Sequence, residues 1–110
     1  MQIDIQALHF SLTEPLRKHA ERRIHFALAC CDDAVSSVVM RLSSINGPHK
    51  ASSDGSEDKH CHLQIVLPGI SDVVIEDTQT DMYVAINRAT DRARRTVIRK
   101  INRQQTLLKQ

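Results

Sequence analysis

The side chains best placed to do chemistry are five arginines near the C-terminus, and their type indicates anion binding. No glutamate lies four residues from any of them, so their like charges repel within the chain. A guanidinium group carries a planar set of donors that matches phosphate oxygens, and it stays charged at any cellular pH. We therefore expect a phosphate backbone outside the chain to offset the repulsion, with an ordinary solvated surface as the alternative. These residues, called the arginine row below, are Arg88, Arg92, Arg95, Arg99 and Arg103.

One long helix must hold the arginine row. The spacing i, i+4, i+7, i+11 and i+15 puts all five side chains on one side of an α-helix, over about 20 Å. The pattern predicts this helix from Asp81 to about Leu108. From Met82 onward there are eight basic residues and one acid, whereas the first 81 residues hold seven basic and twelve acidic ones. A separate apolar arc predicts the buried side: Met82, Ile86, Ala89, Ala93, Val97 and Ile101.

Other reactive residue types are not arranged for catalysis or for metal binding. On a strand, His60 and His62 would lie on one face and Cys61 on the opposite face, so the three side chains cannot meet at one ion. The acids at 54, 57 and 58 do not have the spacing of a calcium-binding loop. The sequence has no nucleophile-and-base motif and no glycine-rich phosphate loop. We therefore predict a protein that is not an enzyme and has no cofactor or metal.

Composition sets further bounds. The 110 residues fit a single domain, 1–110, with a net charge of +2. Three cysteines, two of them adjacent at Cys30 and Cys31, favour a reducing cytoplasm over a disulfide-bonded protein. No apolar run reaches the roughly 20 residues that cross a bilayer, and the start lacks the order of a signal peptide. With only three aromatic residues, stacking of bases on an aromatic surface is not expected.

The remaining periodicity predicts an α+β fold with the order βαβββα. This is a two-layer sandwich of a four-stranded sheet with both helices on one face, in which the first strand lies parallel to a neighbour and the last three form an antiparallel meander. A helix that starts at Thr13 and ends near Cys31 would bury Leu16, Ala20, Ile24, Ala27 and Leu28. Its Lys18 and Arg22 would lie outward, beside the arginine row. The predicted strands are Gln2–Leu8, Val35–Ile45, Lys59–Leu67 and Ser71–Thr78, with a polar hairpin loop at 46–58.

The stretch from Glu76 to Ile86 resembles a known signature. Its Asp81-Met82-Tyr83-x-Ala85-Ile86 core, followed by a basic helix, is similar to the short form of the ribosome hibernation-promoting factor family, which includes ribosome-associated inhibitor Y. Residues 1–5, 13–17 and 38–42 fit the same family. The resemblance implies a fold like that of double-stranded RNA-binding domains, without the C-terminal dimerisation domain of the long form. It also implies contacts to small-subunit rRNA through the arginine row, Lys18 and Arg22.

The function expected from this resemblance is inhibition of translation under stress. The protein would bind the decoding region of the small ribosomal subunit and block messenger and transfer RNA, with no membrane or DNA partner. A protein that pairs dormant ribosomes is a further candidate partner. Two alternatives stay open: a double-stranded RNA-binding module, and a regulatory module that modulates a sigma factor. The latter would use the open sheet face around Val39, Val66, Val74, His60 and His62.

Overall fold

A four-stranded sheet forms one layer of the protein, and its strand order follows the chain. The computed structural model describes residues 1–8, 10–45 and 58–108. The strands are β1 (Gln2–Leu8), β2 (Ser37–Ile45), β3 (Asp58–Val66) and β4 (Val73–Gln79), and the order in the sheet is β1-β2-β3-β4. The second layer consists of helices α1 (Glu14–Leu28) and α2 (Met82–Leu108), with a 3-10 segment at Ala29–Ala34.

The strand directions agree with the predicted topology. Strand β1 is parallel to β2, with Ile5 opposite Met40, while β2 and β3, and β3 and β4, are antiparallel. Parallel neighbours need a long crossover connection, and α1 provides it between β1 and β2. The predicted α+β fold is therefore confirmed.

Helix α1 begins where the sequence predicts and ends earlier. Thr13 is the N-cap, and its hydroxyl oxygen accepts a hydrogen bond from the Leu16 amide at 3.4 Å. Regular helix stops at Leu28, because Cys31 has non-helical backbone angles (φ −134°, ψ 28°) and the chain continues as the 3-10 segment. The residues that α1 buries are those predicted: Leu16, Ala20, Ile24, Ala27 and Leu28.

Helix α2 lies across β3 and β4 and contacts α1 on one side. Asp81 caps it, since its Oδ1 accepts a hydrogen bond from the Tyr83 amide at 2.9 Å. The predicted apolar arc is buried through Val97, and Ile101 is partly buried. Ala85 and Thr90 are also buried, although the sequence analysis did not place them there. The Thr90 hydroxyl donates to the Ile86 carbonyl at 2.9 Å, so its polar group is satisfied within the helix.

The two sheet faces differ in character. The face under the helices carries fully buried side chains such as Met40, Leu63 and Ile65, whereas Leu8 and Val74 on the other face are half exposed. The predicted loop at 46–58 lies outside the described residues, except for Asp58, which begins β3. In the part of the chain that the structure describes, no helix is apolar over enough residues to cross a membrane.

Candidate nucleic-acid interface

The arginine row lies along the flank of α2 beside β4, next to the apolar side that packs on the sheet. All five side chains are exposed, while Ile86, Ala89, Ala93 and Val97 on the packed side are essentially inaccessible to solvent. Consecutive members are three or four residues apart, so their α-carbons are separated by about 4.5–6 Å along the helix axis. This arrangement presents a line of guanidinium groups to solvent.

Contacts with β4 divide the arginine row into two parts. Arg88 Nε lies 3.0 Å from Asp77 Oδ2, so part of its charge is offset within the chain. Arg92 donates to the Glu76 carbonyl oxygen at 2.8 Å and keeps its net charge, because a carbonyl is neutral. The expectation that the repulsion is offset only from outside the chain is therefore wrong for Arg88. Asp77 and Arg88 are eleven residues apart, so the spacing of charges along α2 could not predict this ion pair. The turn between β4 and α2 brings the two side chains together.

The second part of the arginine row is unpaired. Among the side chains that the structure describes, which on α2 extend to Gln105, Arg95, Arg99 and Arg103 have no ion-pair or hydrogen-bond partner. They lie farther along α2 than Arg88 and Arg92, the two members that contact Asp77 and Glu76. These three guanidinium groups are available for an anionic partner.

Asp77 anchors the start of the arginine row. Its side chain is 9 % exposed, and partial burial acts to raise its pKa. Hydrogen bonds from Gln79 and Arg88, with the positive charges of Arg88 and Arg92, outweigh burial and lower the pKa below the ordinary 3.8. Asp77 is therefore a carboxylate at neutral pH and holds Arg88 against β4.

The basic residue of helix α1 that contacts α2 is Arg23, and the predicted RNA contacts of Lys18 and Arg22 stay a prediction. Lys18 and Arg22 are exposed, but the α1 residues that contact α2 are His19 and Arg23. Arg23 pairs with Asp91 at 3.1 Å, which also neutralises the one acid of α2. Helical spacing gives no sign of this contact, because Arg23 borders the apolar arc of α1 and its position there predicts only a solvent-exposed side chain.

A polar and aromatic seam joins the two helices. His19 Nε2 lies 2.8 Å from Asn87 Oδ1, and the His19 ring meets the Tyr83 ring edge to face at 4.8 Å between centroids. Farther along, the guanidinium of Arg23 lies 6.0 Å from the centroid of the Phe26 ring. The partner numbers rise together along both helices, so α1 and α2 run in the same direction.

The histidines and cysteines do not form a site with the arginine row. Cys61 is buried on the helix side of the sheet, whereas His60 faces the other side and lies 2.8 Å from Thr78 Oγ1 and 3.1 Å from Glu76 Oε1. Burial, together with the negative charge of Asp77, raises the pKa of Cys61 to about 12. Burial and the neighbouring Cys30 raise that of Cys31 to about 11. Both thiols are thus protonated and unreactive at neutral pH.

Comparisons with solved structures show the same fold in two other bacterial proteins. The chain is similar to the ribosomal subunit interface protein of Coxiella burnetii, with a TM-score of 0.73 and 19% identity over 90% of this chain and 96% of that one. It is also similar to the N-terminal domain of Protein Y of Thermus thermophilus, with a TM-score of 0.66 and 23% identity over 90% of this chain and 98% of that one. A search of curated protein sequences found no significant match.

A family model covers almost the whole chain. The model described as "Sigma 54 modulation protein / S30EA ribosomal protein" matches residues 3–105, which include α1, β2, β3 and β4 and all but the first residue of β1 and the last three of α2. The matched region therefore contains the whole arginine row as well as Lys18 and Arg22. This match confirms the resemblance seen in the sequence, and the chain belongs to the sigma 54 modulation protein / S30EA ribosomal protein family.

Proposed function

We propose that this protein is a ribosome hibernation factor that binds rRNA of the small ribosomal subunit in its decoding region. Bound there, it blocks messenger and transfer RNA by occupying their site, and it does so without catalysis. Membership of a family described as a ribosomal protein supports the association with ribosomes. The similar Coxiella protein is described as a ribosomal subunit interface protein, which supports the same assignment.

The observation that carries the proposal is that the second part of the arginine row is unpaired. Arg95, Arg99 and Arg103 are exposed on one side of a rigid helix and have no partner among the described residues. A line of guanidinium groups binds most strongly to a polyanion whose phosphates repeat along its length. Since arginine contacts to phosphate position a protein without reading bases, the recognition is of rRNA shape and backbone.

Packing of α2 and contacts with β4 hold part of the arginine row in place before RNA binds. Its apolar side is packed on β3 and β4, and Arg88 and Arg92 are tied to β4 at Asp77 and Glu76. Ordering these side chains before binding reduces the entropy lost when RNA is bound. Blocking of the decoding region is then competition for a surface, and it needs one protein per small subunit.

The test is charge reversal in the second part of the arginine row. The double variant Arg95→Glu with Arg99→Glu should lose at least tenfold in affinity for purified small subunits, because two attractive phosphate contacts become repulsive. Co-sedimentation through a sucrose cushion measures the bound fraction. Displacement of labelled messenger RNA from the same subunits measures the block.

Arg41→Glu provides the matched control. Arg41 is exposed on the open sheet face. Arg41→Glu and the single variant Arg99→Glu change the net charge of the protein equally, so a difference between their affinities shows that the position of the charge matters. Normal co-sedimentation of the double variant, or an equal loss in Arg41→Glu, would contradict the proposal. Equal competition by a naked RNA duplex would instead favour the double-stranded RNA-binding alternative.

A further inference from the structure

One of the three aromatic side chains of this protein is strongly exposed on the helix layer. The Phe26 side chain is 66 % exposed, the largest exposure among the large apolar residues in the described part of the chain. It lies on α1, four residues after Arg22 and three after Arg23, so all three lie on neighbouring parts of the helix surface. This exposure was not expected from the sequence, where base stacking was excluded because aromatic residues are few.

The contacts of Arg23 fix the surroundings of the Phe26 ring. The Arg23 guanidinium donates to Asp91 Oδ1 at 3.1 Å and to the Asn87 carbonyl at 3.5 Å, and so it is tied to α2. The same guanidinium lies 6.0 Å from the Phe26 ring centroid, a distance at which a cation is attracted to an aromatic face. Phe26 is therefore flanked by an ordered positive group and leaves most of its surface to solvent.

We propose that Phe26 is a stacking surface for an unpaired base of the bound rRNA, with Arg22 placed for the adjoining phosphate and Arg23 held beside the ring by its contacts with α2. Unpaired bases in rRNA expose their faces, and proteins bind them on aromatic rings and arginine planes. This inference rests on the proposed function, and it adds a contact on α1 to those made by the arginine row on α2. Because both helices cover the same sheet face, one RNA surface can reach both.

The surroundings favour RNA over a protein partner. Arginine and phenylalanine are also common in protein interfaces, but there they lie within a larger apolar patch. The side chains shown beside Phe26 are positively charged, since Arg22 is exposed next to it and Arg23 lies against it, and positive charge suits a polyanion. Among the other exposed large apolar side chains that the structure describes, Leu8 and Val74 belong to the open sheet face. Tyr83 and Val84 lie at the start of α2, where Tyr83 meets His19, about two turns of α1 before Phe26.

The test measures affinity for purified small ribosomal subunits by co-sedimentation at several salt concentrations. Phe26→Ala should weaken binding roughly 5- to 100-fold, the range seen when a base-stacking aromatic residue is removed. Phe26→Leu should weaken binding nearly as much, because leucine is apolar but has no flat ring, whereas Phe26→Trp should bind at least as tightly as the wild type. The salt dependence should stay unchanged in all three variants, since no charge is lost.

Val74→Ala on the open sheet face is the control and should bind as the wild type does. Wild-type affinity in Phe26→Ala, or in Phe26→Leu, overturns the stacking inference, and the Leu result would indicate an ordinary apolar contact with a protein. In either case the wild type still binds, so the proposed function stands. Failure of the wild type itself to bind small subunits removes both proposals. Phe26 is exposed, so circular dichroism should show an unchanged fold in each variant.

Discussion

Asp77 illustrates how one side chain sets the behaviour of its neighbours in the arginine row. It lies at the end of β4, almost buried, with Arg88 Nε 3.0 Å away. Arg88 is 60 % exposed, so water screens the pair, and its contribution to stability is modest. The contact matters more for geometry, because it holds the first turn of α2 against the sheet.

The lowered pKa of Asp77 predicts a dependence of stability on pH. A carboxyl group whose pKa is lower in the folded state adds stability that is complete above its unfolded pKa and is lost as the pH falls through the folded value. The unfolded value is close to 3.8, so the stability from Asp77 should be constant at neutral pH and disappear below about pH 4. Urea unfolding of the wild type and of Asp77→Asn, repeated from pH 7 to pH 2.5, measures this contribution.

Asp77→Asn should be less stable than the wild type by about 1 kcal/mol at pH 7, because it removes a hydrogen-bonded charge whose partner is largely solvated. The two curves should converge in acid. A constant difference over the whole pH range would show that the asparagine harms packing and that the charge is not the cause. Glu14→Gln is a suitable control, since its ion pair with Arg17 is exposed on both sides.

At the scale of elements, α2 is a core element that also carries the proposed binding surface. Small residues allow its backbone to approach the sheet closely: Ala85 and Ala89 are fully buried and Ala93 is 1 % exposed. Close packing on β3 and β4 leaves the rest of the helix surface free for charged residues. The arginine row thus depends on the alanines for its support.

Ala93→Leu should destabilise the protein by about 1–3 kcal/mol, because a larger side chain at this position must push α2 away from the sheet. Urea unfolding measures the loss. Val84→Leu, which enlarges a side chain that is 40 % exposed near the start of the same helix, should change stability by less than about 0.5 kcal/mol. Unchanged or greater stability in Ala93→Leu would mean that free space separates α2 from the sheet.

At the scale of the whole molecule, charge is divided between the helix and the rest of the chain. The net charge of +2 combines eight basic residues and one acid from Met82 onward with an acidic excess before it. An acidic body repels RNA, so in the proposed function the polyanion would meet the helix layer. The same division of charge would orient the protein as it approaches a ribosome.

This charge distribution predicts a strong salt dependence of binding. The logarithm of the affinity for small subunits should fall linearly with the logarithm of salt concentration, with a slope of about −0.7 to −0.9 for each phosphate contact. Arg99→Gln should reduce the magnitude of this slope by about 0.7 to 0.9, the contribution of one phosphate contact. Arg41→Gln should leave the slope unchanged. An identical slope in Arg99→Gln and the wild type would show that Arg99 does not contact phosphate.

The sequence pattern is enough to predict the helices and strands of this protein and the side that each one buries. Periodicity is a local property of helices and strands, so the apolar arcs of α1 and α2 and the alternation around Cys61 could be read directly and are confirmed. The side of α2 on which the arginine row lies follows from the same periodicity. The family signature at 81–86 was also readable, because it is a continuous stretch.

Which arginines of the row are unpaired, and which residues contact the others, depends on the tertiary structure. Asp77 and Arg88 are eleven residues apart and meet only through the turn between β4 and α2, while Arg23 and Asp91 meet only because the helices are neighbours. Contacts between distant residues depend on packing, which local pattern does not encode. The exposure of Phe26 has the same origin, since its ring lies on the side of α1 that neither the sheet nor α2 covers.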